Sequence, residues 1–361
     1  MKHRKLALIA APLLALSMLA AACGDSDSAS ESGSNASSSS DDCPGTQGCT
    51  PKFPGGDITI GILSPGDTND DGYYESFVVA AETYAEKKGW KTIIIDRVEA
   101  ADAATQARSL CEQGANFIGL ADSDMFDAVE AAQEDVCKGV VFYVNADEEL
   151  NPYVFNTTED AYEGGLATGY ATGLVMKELG ISKGAFIAGP DLDFVTVSFN
   201  AWTAGIKLVV PEATTTKTLT GDFDDSALGQ EAAKSQISGG AQLLYPYMGG
   251  ATNAVAKAGL DAGIYSVAPG TDRCNDKAFA VSALFPPGEY LLQAIQSWEN
   301  EEIKMGESFF NKVGVQKYPG ALICDNGTVP NAKALQAEVD AFQKKIGTGE
   351  IIAEEVVINS K

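Results

Sequence analysis

The segment 64–74, Ser-Pro-Gly-Asp-Thr-Asn-Asp-Asp-Gly-Tyr-Tyr, concentrates polar groups and aromatic rings that could hold a flat, polar ligand. Asn69 offers a hydrogen-bond donor and an acceptor, Asp70 accepts from N–H or O–H groups, and Tyr73 offers a ring for stacking. The same residues also suit a solvated turn that caps a helix starting near Glu75. A ligand-binding loop and a capping turn therefore remain alternatives.

Two further groups of candidate residues stand after predicted strands. Asp122 and Ser123 follow the apolar run 117–120, and ligands of parallel α/β sheets bind beyond the carboxyl ends of strands. The alternative for Asp122 is an N-cap of the next helix. Phe194 offers a second ring for stacking, and it suits a core position equally well.

Histidine chemistry is absent from the predicted mature chain. His3 is the only histidine, and it lies in the predicted signal segment described below. Ser-His-Asp and Cys-His catalysis and histidine metal sites are thereby excluded. Carboxylate chemistry stays open, because Asp70, Asp122 and Asp272 could supply the acid/base pair of a glycosidase. No spacing points to that pair, so we predict no catalytic residue, no metal ligand and no cofactor.

The elements that must position these residues alternate regularly along the chain. Apolar runs and helical spacings alternate from residue 58 to 144, and a similar series runs from 184 to 268. This pattern predicts an α/β fold with two doubly wound parallel-sheet lobes joined by a multi-strand hinge. We assign residues 57–158 plus about 278–312 to the first lobe, and about 159–277 plus 313–361 to the second.

Between the two series, Gly165, Gly169 and Gly173 recur every four residues and therefore share one helix face. Such a face lets another backbone approach closely. We expect this helix to pack on a sheet at the junction of the lobes.

The N-terminus has the character of an export signal. Residues 1–22 carry three basic residues, an apolar run and three alanines, which is typical of a signal peptide. Cys23 follows at the position where bacterial lipoproteins are acylated, although ordinary cleavage after the alanines is the alternative. Residues 23–56 are rich in Ser, Asp and Gly, which predicts a flexible tether between a membrane anchor and the folded part.

The net charge of the chain excludes one class of partner. The full chain has 25 basic and 50 acidic residues; removing the three basic residues of the signal leaves 22 against 50, a net charge of −28. This surface repels phosphate backbones, so nucleic acid is excluded as a partner.

Beyond Cys23, six cysteines remain, which in an exported chain predicts three disulfides. Six cysteines allow 15 pairings. We favour Cys43–Cys49, Cys111–Cys137 and Cys274–Cys324, with buried free thiols as the alternative for the last two pairs.

Several motifs resemble one known family. Pro65-Gly66, Asn69-Asp70, Gly72-Tyr73, the stretch 199–205 and Gly249-Gly250 together resemble the basic membrane protein (BMP) family of lipoproteins over about residues 57–320. The resemblance implies a type I periplasmic-binding-protein fold and a role as the solute-binding component of an ABC importer. Several members of that family bind purine nucleosides.

The resemblance also implies roles for individual residues. Asn69 and Asp70 would face the base edge, Tyr73 would replace the family's aromatic residue, and Asn145 stands where the family often has Asp. Met248, Gly249 and Gly250 would line the wall of the site with backbone groups, and Asp272 would bind sugar hydroxyls. The family often has a lysine after the last strand of the first lobe. In this chain residues 282–285 stand at that place, and none of them is basic. The missing lysine favours a ligand that is a heterocycle without a sugar.

The sequence thus predicts a monomeric, lipid-anchored binding protein on the extracytoplasmic face of the cell membrane. It would capture a nucleoside, nucleobase or related polar heterocycle by lobe closure and deliver it to an ABC permease. An extracellular carboxylate enzyme and a surface sensor that serves a receptor are the alternatives.

Overall fold

The first lobe is built on a six-stranded parallel sheet. The computed structural model describes residues 43–70, 72–146 and 150–360. The strands of this sheet are β1 (Thr59–Leu63), β2 (Lys91–Ile95), β3 (Phe117–Leu120), β4 (Val141–Asn145), β5 (Val154–Glu159) and β11 (Ser308–Asn311), in the order β11-β5-β4-β3-β1-β2. The helices of this lobe are α1 (Tyr73–Lys88), α2 (Ala103–Glu112) and α7 (Pro287–Glu299).

The second lobe repeats this plan with one antiparallel edge strand. Its strands are β6 (Lys183–Ala188), β7 (Thr214–Leu219), β8 (Leu243–Tyr247), β9 (Tyr265–Ala268), β10 (Phe279–Leu284) and β12 (Gly320–Ile323), in the order β12-β10-β9-β8-β6-β7. Its helices are α3 (Ala161–Leu179), α4 (Asp193–Val209), α5 (Ser226–Ser238), α6 (Thr252–Asp261), α8 (Ala332–Gly347) and α9 (Ala353–Asn359). The antiparallel partner of β10 is β12. The predicted α/β class with two parallel-dominated sheets is confirmed.

The two sheets have the same strand order. From one edge they run β2-β1-β3-β4-β5 and β7-β6-β8-β9-β10. The direction of winding therefore reverses between β1 and β3 in the first sheet and between β6 and β8 in the second. Ligands of open α/β sheets bind beyond the carboxyl ends of the strands at such a switch point. The loops after β1 and β3, and those after β6 and β8, are therefore the places that the fold offers to a ligand.

The chain passes between the lobes three times within the described residues. The passages follow β5, β10 and β11, and the last of them is the segment 312–319. The prediction that residues 278–285 return to the first lobe is wrong, because β10 lies in the second sheet between β9 and β12. Helix α7 is the element that makes the return, and it packs on α1. An apolar strand suits either sheet, so its composition did not reveal which one it joins.

The glycine face of α3 packs on a helix and not on a sheet, contrary to the prediction. A Cβ atom built on Gly169 would lie 2.2 Å from the carbonyl oxygen of Trp202 in α4, and one on Gly205 of α4 would lie 2.4 Å from the carbonyl oxygen of Leu166. The backbones of α3 and α4 are therefore in direct contact. The buried Trp202 indole donates to the Thr172 hydroxyl across this contact at 3.0 Å.

Residues 43–56 are part of the folded first lobe, so the predicted tether is too long by this segment. Cys49 is buried, and the Gly48 N–H donates to the Met305 carbonyl at 2.8 Å. The Phe53 ring lies 4.9 Å from Trp298 and 5.8 Å from Trp90, between ring centroids. An aromatic anchor and a disulfide thus hold a segment whose Pro and Gly content suggests a linker.

The cysteines are joined in the pairs favoured from the sequence. The structure contains disulfides Cys43–Cys49, Cys111–Cys137 and Cys274–Cys324.

The helix predicted from Met125 to Val136 is a 3₁₀ helix over Ser123–Gln133. Cys23, the signal and the first part of the tether lie outside the described residues. Within the described ranges, no helix has the length and apolar character needed to cross a membrane.

Candidate functional site

The loop after β1 holds Asp70 as the cap of helix α1. Its Oδ1 accepts from the backbone N–H groups of Gly72 at 2.9 Å and Glu75 at 3.0 Å, and its Oδ2 accepts from that of Tyr74 at 3.3 Å. These are N–H groups that a helix start leaves without intrahelical partners. The capping alternative weighed from the sequence therefore describes Asp70 in this structure, whose carboxylate also fixes where Tyr73 and Tyr74 begin the helix.

The capping role leads to a prediction about folding stability without any ligand. Asp70→Ala is expected to lower the free energy of unfolding by about 1–2 kcal/mol, because up to three backbone N–H groups lose their acceptor. Asn69→Ala should change it by less than about 0.5 kcal/mol, since the exposed Asn69 side chain, among the described residues, bonds the neighbouring Asp67 alone. Urea unfolding of the ligand-free proteins measures both values. Equal stabilities of the two variants would contradict the capping role.

Two tyrosines and an aspartate form the first-lobe side of the site. The Tyr73 and Tyr74 rings pack edge to face at 5.4 Å. Burial raises the pKa of both phenols, and the charge of the Asp122 carboxylate raises it further. Asp122 also accepts from the Asp124 N–H at 3.2 Å and the Ser123 hydroxyl at 3.1 Å. Its burial raises its own pKa. Ser123 thus orients Asp122, which caps the 3₁₀ helix and acts on the tyrosines through its charge.

A chain of polar groups runs along the ends of β4 and β5. The Thr157 hydroxyl donates to Asn145 Oδ1 at 2.8 Å and lies 2.7 Å from the Tyr143 hydroxyl. Because Thr157 has one hydroxyl proton, Tyr143 must be the donor to Thr157. The amide of Asn145 is a hydrogen-bond donor to Glu159, the last residue of β5. Asn145 is therefore held in one orientation, with Glu159 at the end of the chain.

The second-lobe side is an aromatic surface. Phe194 is 46% exposed, and its ring lies 6.4 Å from Phe223 and 6.3 Å from Tyr247, between ring centroids. Tyr247 in turn lies 5.9 Å from Phe285. These four residues, Phe194, Phe223, Tyr247 and Phe285, follow or end β6, β7, β8 and β10, and we call them the aromatic wall. Of its members, only Phe194 is predicted from the sequence as a site residue.

The two sides lie close enough for their charged groups to interact. The Asp224 carboxylate of the second lobe contributes to raising the pKa of Tyr74, after burial and Asp122. Burial also raises the pKa of Asp224 itself, to which the charge of Asp70 adds. Glu159 in the first lobe likewise adds to the rise in the pKa of Tyr247, which burial brings to about 12. The inter-lobe region therefore combines tyrosines with carboxylates from both lobes.

The glycine turn after β8 is occupied by internal contacts. The Gly250 N–H donates to Asp224 Oδ1 at 2.6 Å, and the Gly249 N–H donates to the Phe223 carbonyl at 3.1 Å. A Cβ on Gly249 would lie 2.4 Å from the Asp224 carboxylate. These glycines thus position Asp224 and Phe223. The side chain of Met248 is buried in the core beneath α5 and α6, so this residue could line the site only through its backbone, as the resemblance implies.

Asp272 lies at the edge of the site near a basic residue that the sequence did not reveal. Its Oδ1 accepts from the Cys274 N–H at 3.0 Å. Lys317, in the hinge segment 312–319, has its pKa raised chiefly by Tyr318, and further by Glu289 and Asp272. The charge of Asp272 therefore acts on Lys317 of the hinge segment, although no basic residue follows β10 directly. The sequence did not reveal this interaction, because residues 272 and 317 are far apart along the chain.

Two grooves on the surface lie away from this region. One of about 620 Å³ runs between α4 and α9, and one of about 410 Å³ runs between α1 and α7. Both are open depressions on the outer faces of the lobes. The inter-lobe region, with polar groups and rings at the switch points of both sheets, is the candidate site because its chemistry fits a ligand.

Two lobes of this topology, joined by three passages and facing each other with rings and hydrogen-bonding groups, define a two-lobed solute-binding protein. Solved structures with this fold include a solute-binding protein of an ABC transporter system from Conexibacter woesei. It is 23% identical, the match covers 82% of this chain and 98% of that chain, and the TM-score is 0.67. A similar protein from Aeropyrum pernix is 15% identical over 84% of this chain and 90% of that chain, with a TM-score of 0.66.

A third structure, a periplasmic solute-binding protein of an ABC transporter from Actinobacillus succinogenes, contains bound D-allose. It is 12% identical over 74% of this chain and 98% of that chain, with a TM-score of 0.57. Residues 58–353 match the family of PnrA-like ABC transporter substrate-binding proteins, Bmp. The chain belongs to this family and is a substrate-binding protein of an ABC transporter. Neither alternative, the carboxylate enzyme or the receptor-linked sensor, gains support from these similarities.

Proposed function

We propose that this protein captures a flat, polar heterocycle, a nucleobase or nucleoside, between its lobes and delivers it to a membrane permease. The observation that carries the proposal is the pairing of ring systems with acceptors: Tyr73 and Tyr74 on one side, the aromatic wall on the other, and Asp122 and Asn145 at their edges. Rings supply stacking with a base, and the side-chain acceptors read its edge. A sugar hydroxyl would meet Asp272 and Lys317 at the margin.

We base the proposed cellular arrangement on the sequence and the family. Cys23 carries a lipid, residues 24–42 tether the folded part, and a monomer works on the extracytoplasmic face beside its permease. The composition of residues 24–42 supports this proposal, because a tether of about 20 residues rich in Ser, Asp and Gly would reach on the order of 25 Å. The protein carries out no chemistry on its ligand; closure of the lobes about the hinge excludes water from the ligand.

Mass spectrometry of ligand that co-purifies with the protein, followed by calorimetric titration, tests the proposed ligand class. We expect a nucleobase or nucleoside to be released on denaturation and to bind again. The titration panel contains nucleosides, bases, D-allose and amino acids. Exclusive binding of D-allose or of amino acids would overturn the proposed ligand class, while the role in an ABC transporter would stand.

A further inference from the structure

Glu159 is an unassigned acidic group at the place where the lobes meet. It ends β5, immediately before the chain crosses to α3 of the second lobe. Its Oε2 atom is inaccessible to solvent and has no hydrogen-bond partner among the described residues. The hydroxyl of Tyr290 in α7, a residue only 2% exposed, is likewise inaccessible and unpartnered. Buried polar atoms of native proteins nearly always have partners, so each of these two atoms requires a partner that the described part of the chain does not supply.

The surroundings of Glu159 contain hydrogen-bonding groups and rings from both lobes. The Glu159 charge contributes, after burial, to raising the pKa of Tyr73 in α1, Tyr143 in β4, Tyr247 in β8 and Tyr290 in α7. Among the described residues, these four tyrosines are the groups whose pKa the Glu159 charge raises. Within the same residues, no Lys or Arg side chain shifts the pKa of the Glu159 carboxyl group.

The charge of this region determines which ligand chemistry would satisfy Glu159. Asp122 raises the pKa of Tyr73, one of these four tyrosines, and Asp122 and Asp224 both raise that of the adjacent Tyr74, so the field around the site is negative. A ligand acceptor facing Glu159 would meet repulsion, whereas an N–H donor would bind the ionised carboxylate strongly. The tyrosine rings on either side favour a flat donor. The Tyr290 hydroxyl, as a donor, complements an acceptor adjacent to that N–H group.

We propose that Glu159 determines specificity by accepting a hydrogen bond from an exocyclic amino group of the ligand, with Tyr290 donating to the neighbouring ring acceptor. This inference rests on the proposed function and narrows its ligand class to amino-substituted bases and their nucleosides. Adenosine and guanosine carry such an amino group, and inosine lacks it. A site built around an acceptor rejects the analogue that leaves the acceptor unpaired.

The ionisation of Glu159 gives the proposal a pH signature. Burial raises its pKa to about 7, against a smaller lowering by the Asn145 amide. The amino group binds the ionised form, so the pKa falls in the complex. Affinity must then rise with pH up to about 7 and level off above it. Between pH 6 and pH 8 the expected gain is about tenfold, because about one molecule in ten is ionised at pH 6.

Calorimetric titration of the whole protein with adenosine, guanosine and inosine at pH 6 and pH 8 tests this inference. We expect at least one amino nucleoside to bind at least tenfold more tightly than inosine at pH 8, and to lose about tenfold at pH 6. Glu159→Gln should bind it with the weak affinity of the parent at pH 6, at both pH values, since the amide cannot ionise. Glu302→Gln, an exposed control beyond α7, should behave as the parent does.

The outcomes separate this inference from the proposed function. Equal binding of inosine and the amino nucleosides, with no pH dependence in the parent, overturns the role of Glu159 and leaves the proposed function standing. A folded Glu159→Gln variant that keeps the parent's pH dependence has the same consequence. If Glu159→Gln does not fold, the pH dependence and the inosine comparison of the parent still decide. Absence of binding by all three nucleosides at both pH values overturns the proposal for nucleosides, and this inference with it.

Discussion

Replacing Gly169 by alanine is expected to lower the free energy of unfolding by more than about 4 kcal/mol. The new Cβ would stand 2.2 Å from the Trp202 carbonyl oxygen and 2.8 Å from its Cα, atoms of the α4 backbone that cannot move aside by rotating a side chain. The two helices must separate, which opens the core around the buried Trp202. Such a loss is a large part of the 5–15 kcal/mol typical of a folded protein.

Gly164 provides the matched control on the same helix. A Cβ on Gly164 meets nothing within 4 Å. Alanine there should stabilise α3 by about 0.5–1 kcal/mol, because it lowers the backbone entropy of the unfolded chain. Urea unfolding of both variants, with soluble yield as a second measure, gives the comparison. Similar stabilities of the Gly169→Ala variant and the parent would show that the helix contact is loose, contrary to the structure.

The regular alternation of apolar runs and helical spacings made most of the architecture predictable. β1, β3 and β4 read as short apolar runs because both faces of a covered parallel sheet are buried. β5 was not recognised, since its sequence Val-Phe-Asn-Thr-Thr-Glu is mostly polar. Its inner polar residues, Asn156 and Thr157, are nevertheless buried. A strand that ends at a site carries polar groups for the site, and these groups mask the pattern by which strands are recognised.

The candidate site was only partly predictable. One reason is again the polar residues at strand ends, and the other is the direction in which a side chain points. Asn145 was predicted from the family resemblance and Phe194 as a ring for stacking, and both stand after recognisable elements. Glu159 ends β5, which was not recognised, and Lys317 lies in a hinge segment distant in sequence from Asp272. Met248 follows a strand too, but its side chain turns to the core face. The position after a strand places a residue at the right edge without determining the direction of its side chain.

Phe194→Ala is expected to weaken binding of the tightest-binding nucleoside by about tenfold to a hundredfold. Stacking of a base on an aromatic side chain is worth about 1–3 kcal/mol by alanine substitution. Phe194 is 46% exposed at the start of α4, so its removal should change the stability of the ligand-free protein by no more than about 1 kcal/mol. Calorimetric titration and urea unfolding measure the two quantities on the same samples.

Phe194 is a better choice than Tyr247 for this test, because an exposed side chain can be removed with little effect on folding. Tyr247 contacts Phe186 in the core at 5.2 Å between ring centroids, so its truncation would disturb the lobe as well as the wall. Leu208→Ala is the matched control, since Leu208 is 50% exposed on the last turn of the same helix. Phe194→Trp should retain most of the affinity, because a larger ring still stacks. Unchanged affinity in Phe194→Ala would mean that the ligand rests on the first-lobe tyrosines alone, and that closure brings the aromatic wall near the ligand without contact.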